Sequence, residues 1–390
     1  MIPITRPSMD AREAEAVVDV IRSGWLSQGE QVAAFEREFA AAVGAPHACA
    51  VSNCTTALHL ALLACGVAEG DEVVTVSHSF IATANVIRQC GATPVFVDIE
   101  AQGFNIDPEA VERAIGPSTK AILCVHQVGM PCDMAALRRI ADAHGVALIE
   151  DAACAAGSEI LAHGAWMPVG APHGDVACFS FHPRKIITTG EGGMLTTRRE
   201  RLDRTFRLLR QHGMSIPDTV RHGSPRVTFE TYPVQGYNYR MTDLQAAIGR
   251  VQLSRLPEIV ARRRALADNY RTMIAGIDGV TAPTEPGWAR SNWQSYCVLL
   301  DLRFDQRRVM QAMLDRGVAT RRGIMNAHSE AAHAGSASPG ALPRSEAARD
   351  RGVILPLFPD MHDDEQFRVV EALVAALGEV HRSAACAVGA

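Results

Sequence analysis

Residues 178–193 read "CFSFHPRKIITTGEGG": an apolar, aromatic run that breaks at His182-Pro183, a lone lysine at 185, and a close of Gly190, Gly192 and Gly193. Extended back to Asp175, the run "DVACFSF" (175–181) has the composition of a strand buried on both faces. Four earlier runs match it: "EVVTVS" (72–77), "TPVFVDI" (93–99), "KAILCVH" (120–126) and "VALIEDA" (146–152). Between them, "TTALHLALLAC", "IATANVIRQCG", "DPEAVERAIG" and "DMAALRRIADAHG" carry helical spacing, several with a terminal glycine. Strands alternating with helices predict an α/β fold built on a mostly parallel, doubly wound sheet.

Downstream, the amphipathic stretch 241–277 predicts a connecting helix interrupted at Pro257. "SYCVLLDL" (295–302), the helical "FDQRRVMQAMLDRGV" (304–318) and a last helix near 363–377 describe a smaller α+β domain. The expected division is a large domain over residues 1–250 and a smaller C-terminal one over 251–390. Residues 212–240 have little periodicity, and a connection that long is functional or covers a partner subunit. "HAGSASPG" (333–340) reads as a surface loop and the final "AACAVGA" as a disordered tail.

The chain has 390 residues, 47% hydrophobic and 21% charged, with a formal net charge of −5 and no basic block. That balance excludes the electrostatic footprint of a nucleic-acid binder. With neither a secretory leader pattern nor an 18-residue uncharged apolar run, no membrane partner and a cytoplasmic location are expected. Ten cysteines are scattered singly, the pattern of reduced core thiols, and His78, His126 and His182 lack a metal-site spacing, so no metal is expected.

In open α/β sheets ligands bind beyond the carboxyl ends of strands, which directs attention to the residues following each run. Lys185 lies four residues past Phe181; partly desolvated, its amine can attack a carbonyl and form a Schiff base. Asp151 ends an apolar run and reads equally as a hydrogen-bonded structural carboxylate or, if Lys185 holds pyridoxal phosphate, as the partner of its pyridine nitrogen. Thr55 and Thr56 open a strongly apolar helix, where they serve either as caps or as part of an anion site. Ser180 adds a hydroxyl. Phe80, after another strand, suits either the core or stacking on a flat ring.

Together, "SGWLSQGEQVAAFEREFA", "SNCTTALHLAL", "HSFIATANVI", "IEDAACA", "GDVACFSFHPRKIITTGEGGML", "GYNYRMTDLQAAIG" and "LPLFPDM" resemble, in order and over nearly the whole chain, the DegT-type family of sugar aminotransferases. These are pyridoxal-phosphate enzymes of the aspartate-aminotransferase fold (fold type I). The resemblance implies that Lys185 carries the internal aldimine, that Asp151 pairs with the pyridine nitrogen, and that Phe80 stacks on the ring. Thr55, Thr56 and Ser180 would hold the phosphate. Asn238 would reach the phosphate of a neighbouring subunit, implying a homodimer with shared active sites, and His328 would lie near the sugar.

Two positions depart from the family pattern. Cys54 stands where glycine is usual in the phosphate block, and it adds a side chain to a tight turn. Cys154 stands where Gln or His usually contacts the cofactor's phenolic oxygen, which leaves at most a weak thiol contact. The inserted "LAHGAWMPVGAPHG" (161–174) is expected near the entrance. The implied reaction takes an amino group from an amino acid, L-glutamate, through pyridoxamine phosphate to a nucleotide-linked keto sugar of the 3- or 4-keto-6-deoxyhexose type. The alternatives are a keto-cyclitol or free keto-sugar acceptor, and a non-catalytic regulatory or scaffold protein of the same fold. Related sugar dehydratases carry His in place of the lysine, and Lys185 argues against that activity.

Overall fold

The computed structural model describes residues 1–171, 173–217, 221, 225–336 and 340–388, with side chains through residue 382. The rest of the expected 212–240 and 333–340 loops and of the C-terminal tail lies outside the described residues. Strands β1 (His47–Val51), β2 (Glu72–Val76), β3 (Thr93–Val97), β4 (Thr119–Val125) and β5 (Ala147–Asp151) are followed by a hairpin, β6 (Glu159–Ala162) and β7 (Ala165–Pro168). Next come β8 (Val176–Ser180) and β9 (Gly193–Thr197). All but the hairpin form one seven-stranded sheet in the order β1-β9-β8-β5-β4-β2-β3.

The pairs from β3 to β8 are parallel, and β9 runs antiparallel between β8 and β1. The expected doubly wound sheet is therefore present, with β1 and β9 added beside it. "HACAV" and "GMLTT" are rich in small residues and carry little strand propensity, so pairing rather than composition makes them strands. The register places Val125 opposite Asp151 and Asp151 opposite Cys178, which lines up the carboxyl ends of β4 and β5 and lets β8 run on beyond them to Ser180.

Helices α1 (Ala11–Ser23), α2 (Glu30–Val43), α3 (Cys54–Ala64), α4 (Ala82–Gln89), α5 (Pro108–Ala114), α6 (Met134–His144) and α7 (Glu200–Leu209) cover the sheet. On one face Phe39 of α2 meets Phe179 and Phe181 with ring centroids 5.0 and 5.5 Å away. On the other face lies α3, whose Ala57, Leu58, Leu60, Ala61 and Leu62 are all buried, as an apolar helix without a polar stripe requires.

The stretch 241–277 divides at Arg255 into helices Asp243–Ser254 and Leu256–Ile274, with Pro257 in the first turn of the second, where its missing N–H breaks no helical bond. Leu256, Ile259 and Val260 pack in the core of the large sheet, and Leu266, Ala267, Tyr270 and Ile274 pack in a second core. That core surrounds an antiparallel sheet of β10 (Val280–Thr281), β12 (Tyr296–Leu300), β14 (Gly352–Leu355) and β13 (Arg321–Arg322), while β11 (Ala289–Arg290) pairs with β6. Ile2 joins the second core through a bridge to Val318, although the first residues were grouped by sequence with the large domain. The last helix spans Asp363–Val388 and so runs into the segment read as a disordered tail.

Asp243 ties this frame to the N-terminal helices. Its carboxylate, 4% exposed, accepts hydrogen bonds from the amides of Gly29 at 2.8 Å, Val32 at 3.0 Å and Gln31 at 3.2 Å, satisfying the start of α2. Asp243→Ala leaves those donors buried and unpaired, and a loss of about 2 kcal/mol in urea unfolding is expected. Asp243→Asn keeps one acceptor oxygen and should lose less; equal losses would show that charge rather than hydrogen bonding holds the helix.

Candidate active site

Four segments deliver the site. β5 ends at Asp151, β8 ends at Ser180, the turn after β8 presents Lys185, and β1 leads into the start of α3. The lysine turn is closed by its own hydrogen bonds: Lys185 N–H donates to His182 O at 2.8 Å, and Thr189 N–H donates to Phe181 O at 2.9 Å. Phe181 N–H in turn donates to Gly192 O at 2.9 Å. Gly193, opening β9, packs on the chain before α3 so closely that a Cβ would stand 2.4 Å from the Asn53 carbonyl oxygen. Glycine at this position lets the lysine loop and the start of α3 share one wall.

Lys185, Asp151, Ser180, Thr55, Phe80 and Cys154 all border one cleft of about 610 Å³. Lys185 Nζ donates to Cys154 Sγ at 3.1 Å. Desolvation lowers the lysine's pKa, but the sulfur of Cys154, with Asp151 and Cys54, raises it above the ordinary lysine value. Asp151 is buried; its Oδ2 accepts from Thr83 Oγ1 at 2.8 Å and its Oδ1 from the Ala153 amide at 3.2 Å. Thr83 is held in turn by Ser79, with the hydroxyl oxygens 2.9 Å apart. Burial raises the Asp151 pKa despite these bonds. Next to it in the strand, Glu150 forms a buried pair with His126, Oε2 to Nε2 at 3.0 Å; burial raises the Glu150 pKa, but the pairing with His126, aided by His173 and the Gly174 amide, outweighs it and leaves the pKa lowered.

At the start of α3, Asn53 caps the helix by accepting from Thr56 N–H at 2.9 Å. The amides of Cys54 and Thr55 have no protein acceptor among the described residues and sit at the positive end of the helix, beside the Thr55 and Ser180 hydroxyls. Such an arrangement binds phosphate. Phe80 is 59% exposed and presents a bare ring to the cleft. A buried carboxylate with no ion-pair partner among the described residues, free amides at a helix start, an amine and an open aromatic face together fit pyridoxal phosphate.

Three expected site residues are placed elsewhere. Thr56 does not border the cleft; its Oγ1 donates to Asn53 O at 2.8 Å and accepts from Asn53 N–H at 3.3 Å, completing a capping box. His328 is likewise outside the cleft lining, buried with Nδ1 2.6 Å from Ser77 Oγ and Nε2 3.3 Å from Glu346 Oε1, so both ring nitrogens have protein partners. Asn238 is exposed and outside the cleft of its own chain. Cys54 borders the cleft but turns its Sγ to the Cys178 carbonyl oxygen, 3.6 Å away, and its φ is not among the positive values, so the position does not demand glycine. The hairpin of 161–174 contributes no residue to the cleft wall among those described.

The cleft also contains residues not singled out by sequence: Thr83, Gln127, Arg184, Gln294, Arg321 and Arg322. Thr83 lies one residue into α4, where a hydroxyl reads as an ordinary helix-start residue, and Arg321 arrives from a strand two residues long. Only the tertiary arrangement reveals either.

The sequence profile of the DegT/DnrJ/EryC1/StrS aminotransferase family matches residues 7–374. Among solved structures, the aminotransferase TlmJ from Streptoalloteichus hindustanus is 34% identical, with a TM-score of 0.89 over 97% of this chain and 99% of that one. DesI, solved in the presence of its TDP-sugar product, is 32% identical with a TM-score of 0.87 over 98% and 95%. The PLP form of the sugar aminotransferase Spr1654 from Streptococcus pneumoniae is 27% identical with a TM-score of 0.89 over 97% and 99%.

The raised pKa of Asp151 has a thermodynamic consequence. Because the folded, cofactor-free protein binds this proton more tightly than the unfolded chain, ionised Asp151 destabilises it. That penalty develops as pH rises from the unfolded carboxyl value, about 3.9, through the folded one. Asp151→Asn should therefore make the cofactor-free protein more resistant to urea at neutral pH, with the gain disappearing as pH falls to about 4. A variant less stable than the parent at neutral pH would mean that the carboxylate's hydrogen bonds outweigh its desolvation.

Proposed function

The chain belongs to the DegT/DnrJ/EryC1/StrS aminotransferase family and is a pyridoxal-phosphate-dependent sugar aminotransferase, and on that premise we propose that it moves an amino group from L-glutamate to a nucleotide-linked keto sugar. The observation that carries this reading is the convergence of Lys185 and Asp151 on one cleft beside the free amides at the start of α3. When bound, pyridoxal phosphate supplies an electron sink for the pair left when the donor's α-C–H bond breaks.

The chain's own residues do the rest. Lys185 is the residue that would hold the cofactor through Nζ, and the same amine, once free, would carry the proton removed from the donor's α-carbon and supply the one gained by the acceptor carbon. Asp151, oriented by Thr83 and Ala153, would face the pyridine nitrogen and favour its protonated form, a pairing that would relieve the penalty of its own burial. The Cys54 and Thr55 amides, with the Thr55 and Ser180 hydroxyls, would hold the phosphate, and Phe80 would cover the ring. Thr56 supports this cup from behind as a capping residue.

A nucleotide-linked acceptor is supported by the size of the cleft, about 610 Å³, and by exposed Arg184 and Arg321 on its wall, which suit an anionic tail reaching outward from the reacting carbon. The TDP-sugar named for DesI is consistent with it. A homodimer is supported by Val227 and Phe229, 88% and 85% exposed, in the segment that leads to Asn238. Two such apolar side chains beside a polar residue with no role in its own cleft suit a neighbouring subunit's surface. Among the described residues, no helix is long and apolar enough to cross a membrane.

The test is the visible spectrum of the purified protein, with and without L-glutamate. A cofactor band that glutamate bleaches and a keto sugar restores is expected. Lys185→Ala should reduce turnover at least about a thousandfold, because attachment and proton transfer are lost together; a variant that still cycles would refute the scheme. Phe229→Asp should shift sedimentation from dimer to monomer, and an unchanged dimer would exclude this segment from the interface.

A further inference from the structure

Cys154 brings sulfur into contact with the lysine on which the chemistry turns. Its Sγ accepts from Lys185 Nζ at 3.1 Å, both side chains are half-buried, and both open on the same cleft. Its neighbours differ. Cys178 is fully buried and Cys54 only 8% exposed with its sulfur turned to the Cys178 carbonyl, and burial pushes both thiols well above the usual range, so neither ionises readily. Thiol oxidation follows exposure and nucleophilic character, which singles out Cys154 among the three.

We propose that Cys154 and Lys185 form a reversible covalent sulfur–nitrogen link whenever the lysine amine is free and a peroxide enters the cleft. The sulfur attacks one peroxide oxygen and the O–O bond breaks, giving the Cys154 sulfenic acid and water. The lone pair of Lys185 Nζ then attacks the sulfur, the S–O bond breaks, the nitrogen loses a proton, and a second water leaves. Sulfur is oxidised by two electrons and the peroxide is reduced by two. Two molecules of a small thiol reverse the link, the first returning the amine and the second returning Cys154 as a disulfide departs.

The geometry favours the second step. The contact with Cys154 sulfur helps hold a proton on Lys185 against desolvation. Oxidation removes that contact, and desolvation then favours the neutral amine beside the newly electrophilic sulfur. A lysine occupied by cofactor has no free amine and is protected, so vulnerability is confined to the stage between the two half-reactions. This inference rests on the reading of Lys185 as the attachment lysine.

The experiment exposes the holoenzyme, as isolated and after conversion with L-glutamate, to hydrogen peroxide, followed by digestion without reductant and mass spectrometry. A cross-linked peptide pair joining residues 154 and 185, lighter than its parts by two hydrogens, is expected in the glutamate-treated sample. It should be absent from the untreated sample and from Cys154→Ser. Dithiothreitol should remove it, and added pyridoxal phosphate should then restore the visible band. Cys154 oxidised to sulfinic acid beside an unmodified lysine, or equal cross-linking with and without glutamate, would overturn the proposal. If glutamate leaves the cofactor spectrum unchanged, the donor assignment has failed instead. The same digest on protein stripped of cofactor then decides the cross-link: its presence supports the proposal and its absence overturns it.

Discussion

A carboxylate removed from water beside the end of a parallel strand is the constraint from which the site is built. Asp151 is buried, and its pKa is raised by that burial even though Thr83 and the Ala153 amide donate to it. Such a group is costly in the empty protein and useful only opposite a cation held at a fixed place. The surrounding architecture fixes that place. Register aligns the ends of β4 and β5 while β8 runs on to Ser180, the closed turn after β8 fixes Lys185, and Gly193 lets β9 pack against the start of α3. Thr83, reaching over from α4, orients the carboxylate so that neither oxygen needs the lysine as its donor. Lys185 is left to Cys154, and so stays available for a ligand.

Much of this was legible in the sequence because the signal was local. Five strands of the parallel sheet show as continuous apolar runs, and the chemical residues stand at their ends: Asp151 closes one, Ser180 closes another, and Lys185 follows it. The parts that escaped depend on partners distant in the chain. β1 and β9 are strands because they pair with each other, and their sequences alone show little preference. Thr56 reads from sequence as either a cap or an anion ligand, and the fold bonds its hydroxyl to Asn53; His328, named by resemblance, has its ring nitrogens near Ser77 and Glu346. A hydroxyl or an imidazole near a site carries no mark of whether it faces the ligand or the frame; only the acceptor it finds decides.

The two cysteine departures show the same point from the side of packing. At position 54 a side chain was expected to crowd a tight turn, but the backbone there is helical and the thiol points into the core toward Cys178. Cys54 is thus accommodated by direction, and the start of α3 keeps two amides with no protein acceptor among the described residues. Cys154 is accommodated by contact, since its sulfur accepts from Lys185. One substitution is absorbed by the core, and the other is exposed to the chemistry.

The two cores divide the work unequally. The large sheet and its turns bring Asp151, Ser180 and Lys185 to the cleft, whereas the smaller antiparallel sheet closes it with Arg321, Arg322, Ile354 and Leu355, and the N-terminal segment adds Ile4 and Thr5. Helix Leu256–Ile274 packs in both cores, so the two walls are carried on one rigid element. Groups that must hold a cofactor within a fraction of an ångström belong on strand ends. The outer wall is carried on short strands and turns such as Arg321–Arg322, where a change of side chain alters the mouth of the cleft and leaves Asp151 and Lys185 undisturbed. The outer wall can therefore diverge on this frame without reworking the buried carboxylate at its floor.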